Sequence, residues 1–239
     1  MTATCDLFIR SYWKDLEWLS FCLQSIRRYC HGFRSVIVVV PMSAKAWLKR
    51  APLPDTAHVE FCRDYPDDYL GQQVTKLLAD TFSDADFFCH VDSDCVFCRR
   101  TTPEDLIVDG RPRVLMRSCE LLGRNRPWQA PTERFLGCPV LDDFMCHPPF
   151  TFPRWLYPRV RGRALAGHGT DIESYIIAQP QRGFSEYNVM GAYAWQNHHQ
   201  DFVWIDVGAV PLPTPHCRWY WSWGGIDAAI RDEIRALLE

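Results

Sequence analysis

Residues 85–94 read ADFFCHVDSD, an apolar run that ends in two carboxylates. The apolar part, Ala85 to Val91, predicts a short buried strand. Asp92 then falls at the carboxyl end of that strand, and Asp94 follows two positions later. The residues directly after the acids, Cys95-Val96-Phe97, are apolar again. An exposed acidic pair between two segments that both favour burial indicates a functional site rather than a solvated turn.

The chain before this strand predicts alternating strands and helices. The predicted strands are Thr4–Arg10, Ser35–Val40 and His58–Cys62, and the predicted helices are Asp15–Tyr29 and Tyr69–Phe82. The order β-α-β-β-α-β predicts an α/β fold with a mixed, mostly parallel sheet and helices on both faces. Ligands of such sheets bind beyond the carboxyl ends of the strands. Two segments reach that edge, Arg10-Ser11-Tyr12 and Asp92-Ser93-Asp94.

The second half of the chain is richer in proline, tryptophan and irregular sequence. Thr102 and Ser185 are suited to cap helices, and Pro153 is expected to open another. A late strand is predicted at Phe202–Val207 and a closing amphipathic helix at Ile226–Leu238. No repeat or linker separates these elements, so the 239 residues are expected to form one domain.

Composition excludes several classes of protein. Hydrophobic residues make up 47% and charged residues 23% of the chain, as in a soluble globular protein. The sequence has no apolar run long enough for a transmembrane helix, and no signal peptide is recognisable, so we expect a cytoplasmic protein. The net charge of −3 and the lack of a basic run argue against nucleic acid as a partner.

The 11 cysteines are odd in number and scattered among apolar residues. In a cytoplasmic protein this usage is typical of free, buried thiols. Cys95 and Cys98 have the spacing of a zinc or redox pair, but no second pair stands at ligand spacing. We therefore expect free thiols rather than a zinc site.

The two carboxylates of Asp92-Ser93-Asp94 would place hard oxygen ligands at the edge of the sheet. Such ligands suit Mn²⁺ or Mg²⁺ bridging a diphosphate. Gln73 and Lys76 lie three positions apart on the predicted helix 69–82 and so share a face. That face either presents an amide and an ammonium group to a ligand or is a solvated surface.

Four segments, in this order along the chain, resemble one family. They are DLFIRSY (6–12), YLGQQVTKLL (69–78), HVDSDCVF (90–97) and FSEYNVMGAY (184–193). Together they resemble DUF6492-type bacterial glycosyltransferases, which have a GT-A, Rossmann-like fold, and the resemblance runs from about residue 4 to about residue 200. One departure stands in the first segment, where Arg10-Ser11-Tyr12 replaces the Pro-Thr-Tyr of many relatives.

The resemblance implies a metal-dependent transferase of polysaccharide or lipid-linked glycan synthesis. The donor would be a UDP- or GDP-linked sugar and the acceptor a glycan or a lipid-linked glycan. Residues 1–100 would bind the nucleotide-sugar and residues 101–239 the acceptor. A lipid-linked acceptor would be met at the inner face of the membrane, which is compatible with peripheral membrane contact. The implied donor-binding residues are Arg10, Ser11, Tyr12, Gln73, Lys76, Asp92, Ser93 and Asp94.

The resemblance also suggests where a third metal ligand and a catalytic base would come from. Asp92 and Asp94 would hold the metal, and a late histidine completes the metal shell in many GT-A enzymes, with His216 the best candidate here. A direct displacement needs a base for the acceptor hydroxyl. The candidates are Glu186 and one of the adjacent acids Asp142 and Asp143, which point different ways, and of these two we take Asp143. The aromatic segment Trp219–Trp223 would either cover a sugar or pack across the sheet.

Three other functions remain open at this stage. A haloacid-dehalogenase-type phosphatase also carries an acidic D-x-D motif after a strand, but usually on the first strand of the chain. A sugar nucleotidyltransferase shares the sheet architecture but needs a glycine-rich phosphate loop after the first strand, and RSYWKD (10–15) has no glycine. A non-catalytic sugar-binding module is the third, against which the acidic pair and Lys76 argue.

Overall fold

Strands and helices alternate through the first hundred residues of the fold. The computed structural model describes residues 3–48, 57–211 and 214–239. Strands β1 to β11 are Cys5–Arg10, Val36–Pro41, Ala57–Cys62, Phe87–Asp92, Cys95–Phe97, Ile107–Val108, Arg111–Ser118, Asp142–Asp143, Phe150–Pro153, Val203–Asp206 and Cys217–Trp219. Helices α1 to α9 are Leu16–Tyr29, Lys45–Leu48, Asp68–Leu77, Pro103–Leu106, Gln129–Leu136, Leu156–His168, Ile172–Ile177, Glu186–Asn197 and Ala228–Leu238. Short 3-10 helices are Trp13–Asp15, Met42–Ala44, Ala79–Thr81, Cys119–Leu122, His199–Asp201 and Ser222–Gly224.

The central sheet has the strand order β3-β2-β1-β4-β9. The first four strands run parallel, and β9 joins β4 in the antiparallel sense. This mixed, mostly parallel sheet with flanking helices is Rossmann-like and confirms the predicted fold class. The register places Arg10, the last residue of β1, beside Asp92, the last residue of β4. The carboxyl edge therefore carries the two segments that the sequence placed there.

The inner strands β1, β2 and β4 are buried on both faces of the sheet, which explains why they are mostly apolar, whereas the edge strand β3 alternates between exposed and less exposed residues. Successive side chains of a strand point to opposite faces, so β1 sends Phe8 into one core cluster and Leu7 and Ile9 into another. The first cluster also contains Tyr187 and Phe202 from the second half of the chain. The boundary between the two proposed halves is not tested by this packing and stays a prediction.

Two smaller sheets complete the fold. β10, β7 and β6 form one sheet, with β8 paired to β7, and β11 pairs with β5 in the antiparallel sense. Because β5 begins directly after Asp94, its pairing with β11 returns the C-terminal part of the chain to the acidic pair. Within the described ranges, no helix has the length and apolar character that a membrane span needs.

Most predicted elements are present, with differences at their ends. Helix α8 spans Glu186–Asn197, as predicted. Helix α3 ends at Leu77, and a 3-10 turn replaces the expected last turn. The prediction that Pro153 opens a helix is wrong, since Pro153 ends β9 and α6 begins only at Leu156. A proline at the end of an edge strand leaves no sheet hydrogen bond unmade, which explains why the strand tolerates it.

Candidate functional site

A buried lysine joins two carboxylates at the carboxyl edge of the sheet. The Nζ atom of Lys76 lies 2.6 Å from Oδ1 of Asp92 and 2.8 Å from Oε1 of Glu186. The side chains of Lys76 and Glu186 are only 3% and 5% exposed, whereas that of Asp92 is 21% exposed. Asp92 is thus the most exposed member of this group.

Three elements position this group. Lys76 comes from the last turn of α3, Asp92 from the end of β4, and Glu186 from the first turn of α8. The ammonium group also lies 4.7 Å from the ring centre of Tyr187, whose hydroxyl donates to Oδ1 of Asp92 at 3.4 Å. Burial alone would lower the pKa of Lys76, but the carboxylates of Asp92 and Glu186 outweigh it and raise this pKa above its usual value. Lys76 is therefore charged at neutral pH.

Asp94 is held by the C-terminal segment of the chain. Its Oδ2 accepts a hydrogen bond of 2.8 Å from the backbone N–H of Ser222, and its carbonyl accepts one of 2.9 Å from Tyr220. Burial, together with the negative charge of Asp92, raises the pKa of Asp94 to about 6. A cation bound beside Asp94 would favour its charged form and so offset both the burial and the repulsion from Asp92.

A third acid, Asp15, belongs to this cluster and was not among the predicted site residues. It ends the 3-10 turn after β1, and its Oδ2 accepts a hydrogen bond of 3.5 Å from the hydroxyl of Ser93. Burial, followed by the negative charge of Asp94, raises the pKa of Asp15 to about 7. One sequence signal was available, because an acid close after the first strand of a parallel sheet lies at the same edge as the later acidic pair.

The segment Arg10-Ser11-Tyr12 lies at this edge, as predicted, but the guanidinium of Arg10 is already paired with a carboxylate of the protein. Its guanidinium forms two hydrogen bonds with the carboxylate of Asp68, one of them 2.7 Å long, and its side chain is 2% exposed. Ser11 is buried with an unpaired hydroxyl oxygen, and Tyr12 is half-buried. Ser11 and Tyr12 therefore keep hydrogen-bonding capacity for a ligand.

Gln73 is buried rather than solvated. Its Nε2 donates to the carbonyl of Tyr69 at 3.4 Å, and its Oε1 atom has no hydrogen-bond partner in the described chain. Gln73 and Lys76 share a helix face as expected, and that face is enclosed by protein. This burial contradicts the alternative of a solvated helix surface.

The structure does not bring His216 to the acidic pair. His216 precedes β11, and its ring nitrogens contact the guanidinium of Arg99 and the hydroxyl of Thr101. Burial and the positive charge of Arg99 lower the pKa of His216 to about 4. A histidine that faces a guanidinium is a poor metal ligand, so we remove it from the proposed ligand set.

Asp143 lies outside the lysine group as well. Its Oδ2 accepts two hydrogen bonds from Arg117, at 3.1 and 2.9 Å, and its Oδ1 accepts one of 3.1 Å from Asn188. Both carboxylate oxygens of Asp143 are thus engaged by donors of the protein itself. Of the two predicted bases, only Glu186 lies beside Asp92.

The donor set of the site suits a hard cation in part. Asp15, Asp92 and Asp94 offer carboxylate oxygens, the ligands that Mg²⁺ and Mn²⁺ prefer. Yet, in the part of the chain that is described, no group of three or more His, Cys, Asp or Glu side chains is arranged to hold a metal ion. The acids fit a cation that a ligand, such as a diphosphate, also coordinates.

The fold and the site together define a Rossmann-like α/β protein with an acidic cluster and a buried lysine at the carboxyl edge of its sheet. The chain belongs to DUF6492, a family of unknown function, whose sequence model matches residues 7–215. No curated protein matches the chain significantly.

Proposed function

We propose that this protein is a glycosyltransferase that moves a sugar from a nucleotide-diphosphate donor to a glycan or lipid-linked acceptor. The observation that carries the proposal is the convergence of Asp15, Asp92 and Asp94 at the carboxyl edge of the sheet, beside the buried pair of Lys76 and Glu186. Ligands of such sheets bind at this edge. The GT-A resemblance of the four quoted segments supports the same assignment.

In this proposal Asp92 and Asp94 hold Mn²⁺ or Mg²⁺, with Asp15 close by. When bound, the metal neutralises the charge that develops on the leaving nucleotide diphosphate. The exposed part of Asp92 faces the incoming donor, while Lys76 holds this carboxylate in place. Ser11 and Tyr12 contribute free hydroxyl groups to the binding of the base and ribose.

Glu186 is the proposed base for the acceptor hydroxyl. It lies in the first turn of α8, and the N-terminus of a helix stabilises negative charge. The hydrogen bond from Lys76 also holds the Oε1 atom of Glu186 in place. In this role Glu186 accepts the hydroxyl proton while the acceptor oxygen attacks the sugar.

One observation favours the phosphatase as a second candidate function. A general acid must be protonated to act, and the pKa of Asp94 is raised to about 6. In that alternative Asp92 would be the nucleophile and Asp94 the acid. Hydrolysis of p-nitrophenyl phosphate by the purified protein, lost in Asp92→Asn, would support the phosphatase and exclude the transferase as the primary activity.

Isothermal titration tests the transferase directly. UDP, GDP and CDP are titrated with and without Mn²⁺ into the wild-type protein, Asp92→Asn, Asp94→Asn and the control Glu104→Gln, an exposed acid away from the site. We expect Mn²⁺-dependent binding of one nucleotide, lost in Asp94→Asn, weakened strongly in Asp92→Asn and unchanged in the control. Equal binding by wild type and the Asp92→Asn/Asp94→Asn double variant would contradict the proposal.

A further inference from the structure

A cavity of about 590 Å³ lies next to the acidic pair, among residues that the proposed donor site does not use. Its volume is within the usual range of small-molecule sites. Pro215 and residues 217–221 line it, and the next residue, Ser222, donates its backbone N–H to Asp94. One segment thus connects the cavity to the acidic pair.

Tryptophan rings form much of the apolar lining. Trp219 and Trp221 stack with ring centres 4.5 Å apart and planes inclined by 15°, and Trp128 also lines the cavity. Trp221 is 62% exposed, which is unusual for so large an apolar side chain. Exposed indole faces offer a flat apolar surface with a polar N–H edge, which suits ligands that are apolar on one face and polar at the rim.

The charged groups of the cavity are already paired with each other. Arg117 binds Asp143, and Arg218 binds Glu233. The two pairs cancel in charge and leave no unpaired cation or anion for a charged ligand. This balance argues against a phosphate or carboxylate ligand.

His147 supplies a polar atom that lacks a hydrogen-bond partner in the described chain. This atom, Nδ1, is buried, although the ring of His147 lines the cavity. Burial and the charge of Arg117 lower the pKa of His147, so that the ring is neutral at pH 7. A buried polar atom without a partner is costly unless a ligand or water binds it, and a hydroxyl group would satisfy it.

We propose that this cavity binds a neutral saccharide, with a pyranose ring packed on Trp221 and a hydroxyl group bonded to His147. A sugar ring has apolar C–H faces and a polar rim, which matches the stacked indoles and the neutral imidazole. That this saccharide is the acceptor of the reaction rests on the proposed function. The binding itself requires only the cavity.

Saturation-transfer NMR tests the binding without any donor or metal. The probes are the methyl glycosides of glucose, galactose, mannose, N-acetylglucosamine and glucuronic acid. Trp221→Ala is compared with Trp223→Ala, a matched control because Trp223 is also 62% exposed but does not line the cavity. We expect transfer to the ring protons of at least one neutral glycoside, abolished by Trp221→Ala, reduced by His147→Ala and retained by Trp223→Ala.

No transfer from any glycoside, equal transfer in Trp221→Ala, or the strongest transfer from the glucuronide would each overturn the proposal. UDP, GDP and CDP titrations with Mn²⁺ on the same variants separate the two proposals. A saccharide site without nucleotide binding contradicts the transferase alone. Nucleotide binding that survives while saccharide binding fails contradicts the cavity assignment alone.

Discussion

At the scale of single residues, Lys76 is the side chain through which three elements meet at the site. It contacts Asp92 and Glu186, and the latter is 110 residues away along the chain. A buried charge that loses its partner is strongly destabilising, while the intact group is close to neutral in its contribution. The lysine is therefore important for stability and for the positions of both carboxylates.

Lys76→Met should lower the free energy of unfolding by about 3–5 kcal/mol, because it leaves a buried carboxylate without its counter-charge. Urea denaturation followed by circular dichroism measures this change. The double variant Lys76→Met/Glu186→Gln serves as the control and should recover part of the loss, since it removes the unpaired buried charge. A loss below about 1 kcal/mol in the single variant would mean that water reaches the group and compensates it.

Glu186→Gln separates a catalytic base from a residue that only stabilises the start of α8. A base predicts near-normal folding and nucleotide binding, with sugar transfer reduced by roughly 10²–10⁴-fold. A role at the helix start predicts near-normal transfer and a stability loss of about 0.3–1 kcal/mol. Released nucleotide, measured once donor and acceptor are identified, decides between them. Near-normal turnover would remove Glu186 from the mechanism.

His216 should make the protein less stable in acid. Its pKa is lowered to about 4 in the folded state, against a usual value of 6.5, so between these values the unfolded chain binds more protons. Stability therefore falls as the pH drops from 6.5 to 4. In His216→Gln the melting temperature should fall less over this range, while the exposed-site control His31→Gln should follow the wild type. Parallel curves for wild type and His216→Gln would contradict this assignment.

At the scale of elements, helix α8 carries Glu186 and Tyr187 to the site, and close packing holds it there. A Cβ atom added at Gly191 would lie 2.4 Å from Cγ of Phe144, too close for any side chain. Gly162 in α6 is different, because nothing lies within 4 Å of such an atom. Gly191 therefore allows α8 to pack closely against Phe144, whereas Gly162 has no such role in α6.

This contrast predicts opposite effects for the same substitution. Gly162→Ala should raise the free energy of unfolding by about 0.5–1 kcal/mol, because alanine is the better helix former. Gly191→Ala should lower it, since overpacking in a core typically costs about 1–3 kcal/mol. Chemical denaturation of both variants measures the two changes. Stabilisation by Gly191→Ala would show that α8 can move away from Phe144 at little cost.

At the scale of the whole molecule, the cysteines are distributed through both cores rather than paired. All 11 lie in the described chain as free thiols, and seven of them, Cys5, Cys22, Cys62, Cys89, Cys95, Cys119 and Cys217, are buried. Burial raises the pKa of the thiols of Cys5, Cys22, Cys89 and Cys95, which makes them unreactive. Burial also raises the pKa of Cys98, so the Cys95-x-x-Cys98 pair follows this pattern, and the expectation that it binds no zinc stays a prediction.

Thiol titration under two conditions tests this distribution. A thiol reagent should detect all 11 thiols in unfolded, unreduced protein. The native protein should react only at the four partly exposed ones, Cys30, Cys98, Cys138 and Cys146, and reaction should be slow at Cys30 and Cys146, whose pKa burial also raises. Fewer than 11 thiols in the unfolded protein would reveal a disulfide. Zinc retained after purification, measured by atomic absorption, would restore Cys95 and Cys98 as ligands.

The sequence alone determined the four parallel strands of the central sheet and the position of the acidic pair. The inner strands β1, β2 and β4 are buried on both faces and are mostly apolar runs that local sequence reveals, and Asp92 is recognisable because it ends one of them. The helix of Glu186 was equally local, with Ser185 at the N-cap position and twelve helical positions after it, although the hydroxyl of Ser185 donates to Met145 rather than capping the helix. These features depend on neighbouring residues, which is the range over which sequence patterns are informative.

Only the tertiary structure decided which side chains share the site. The fold pairs Lys76 with Glu186 and brings Asp15 close to Asp94, but it places His216 away from the acids. In each case the residues are far apart in the chain. The cavity likewise needs the return of β11 to β5. Such contacts follow from how helices and sheets pack, and packing depends on the shape and volume of the whole core rather than on local periodicity.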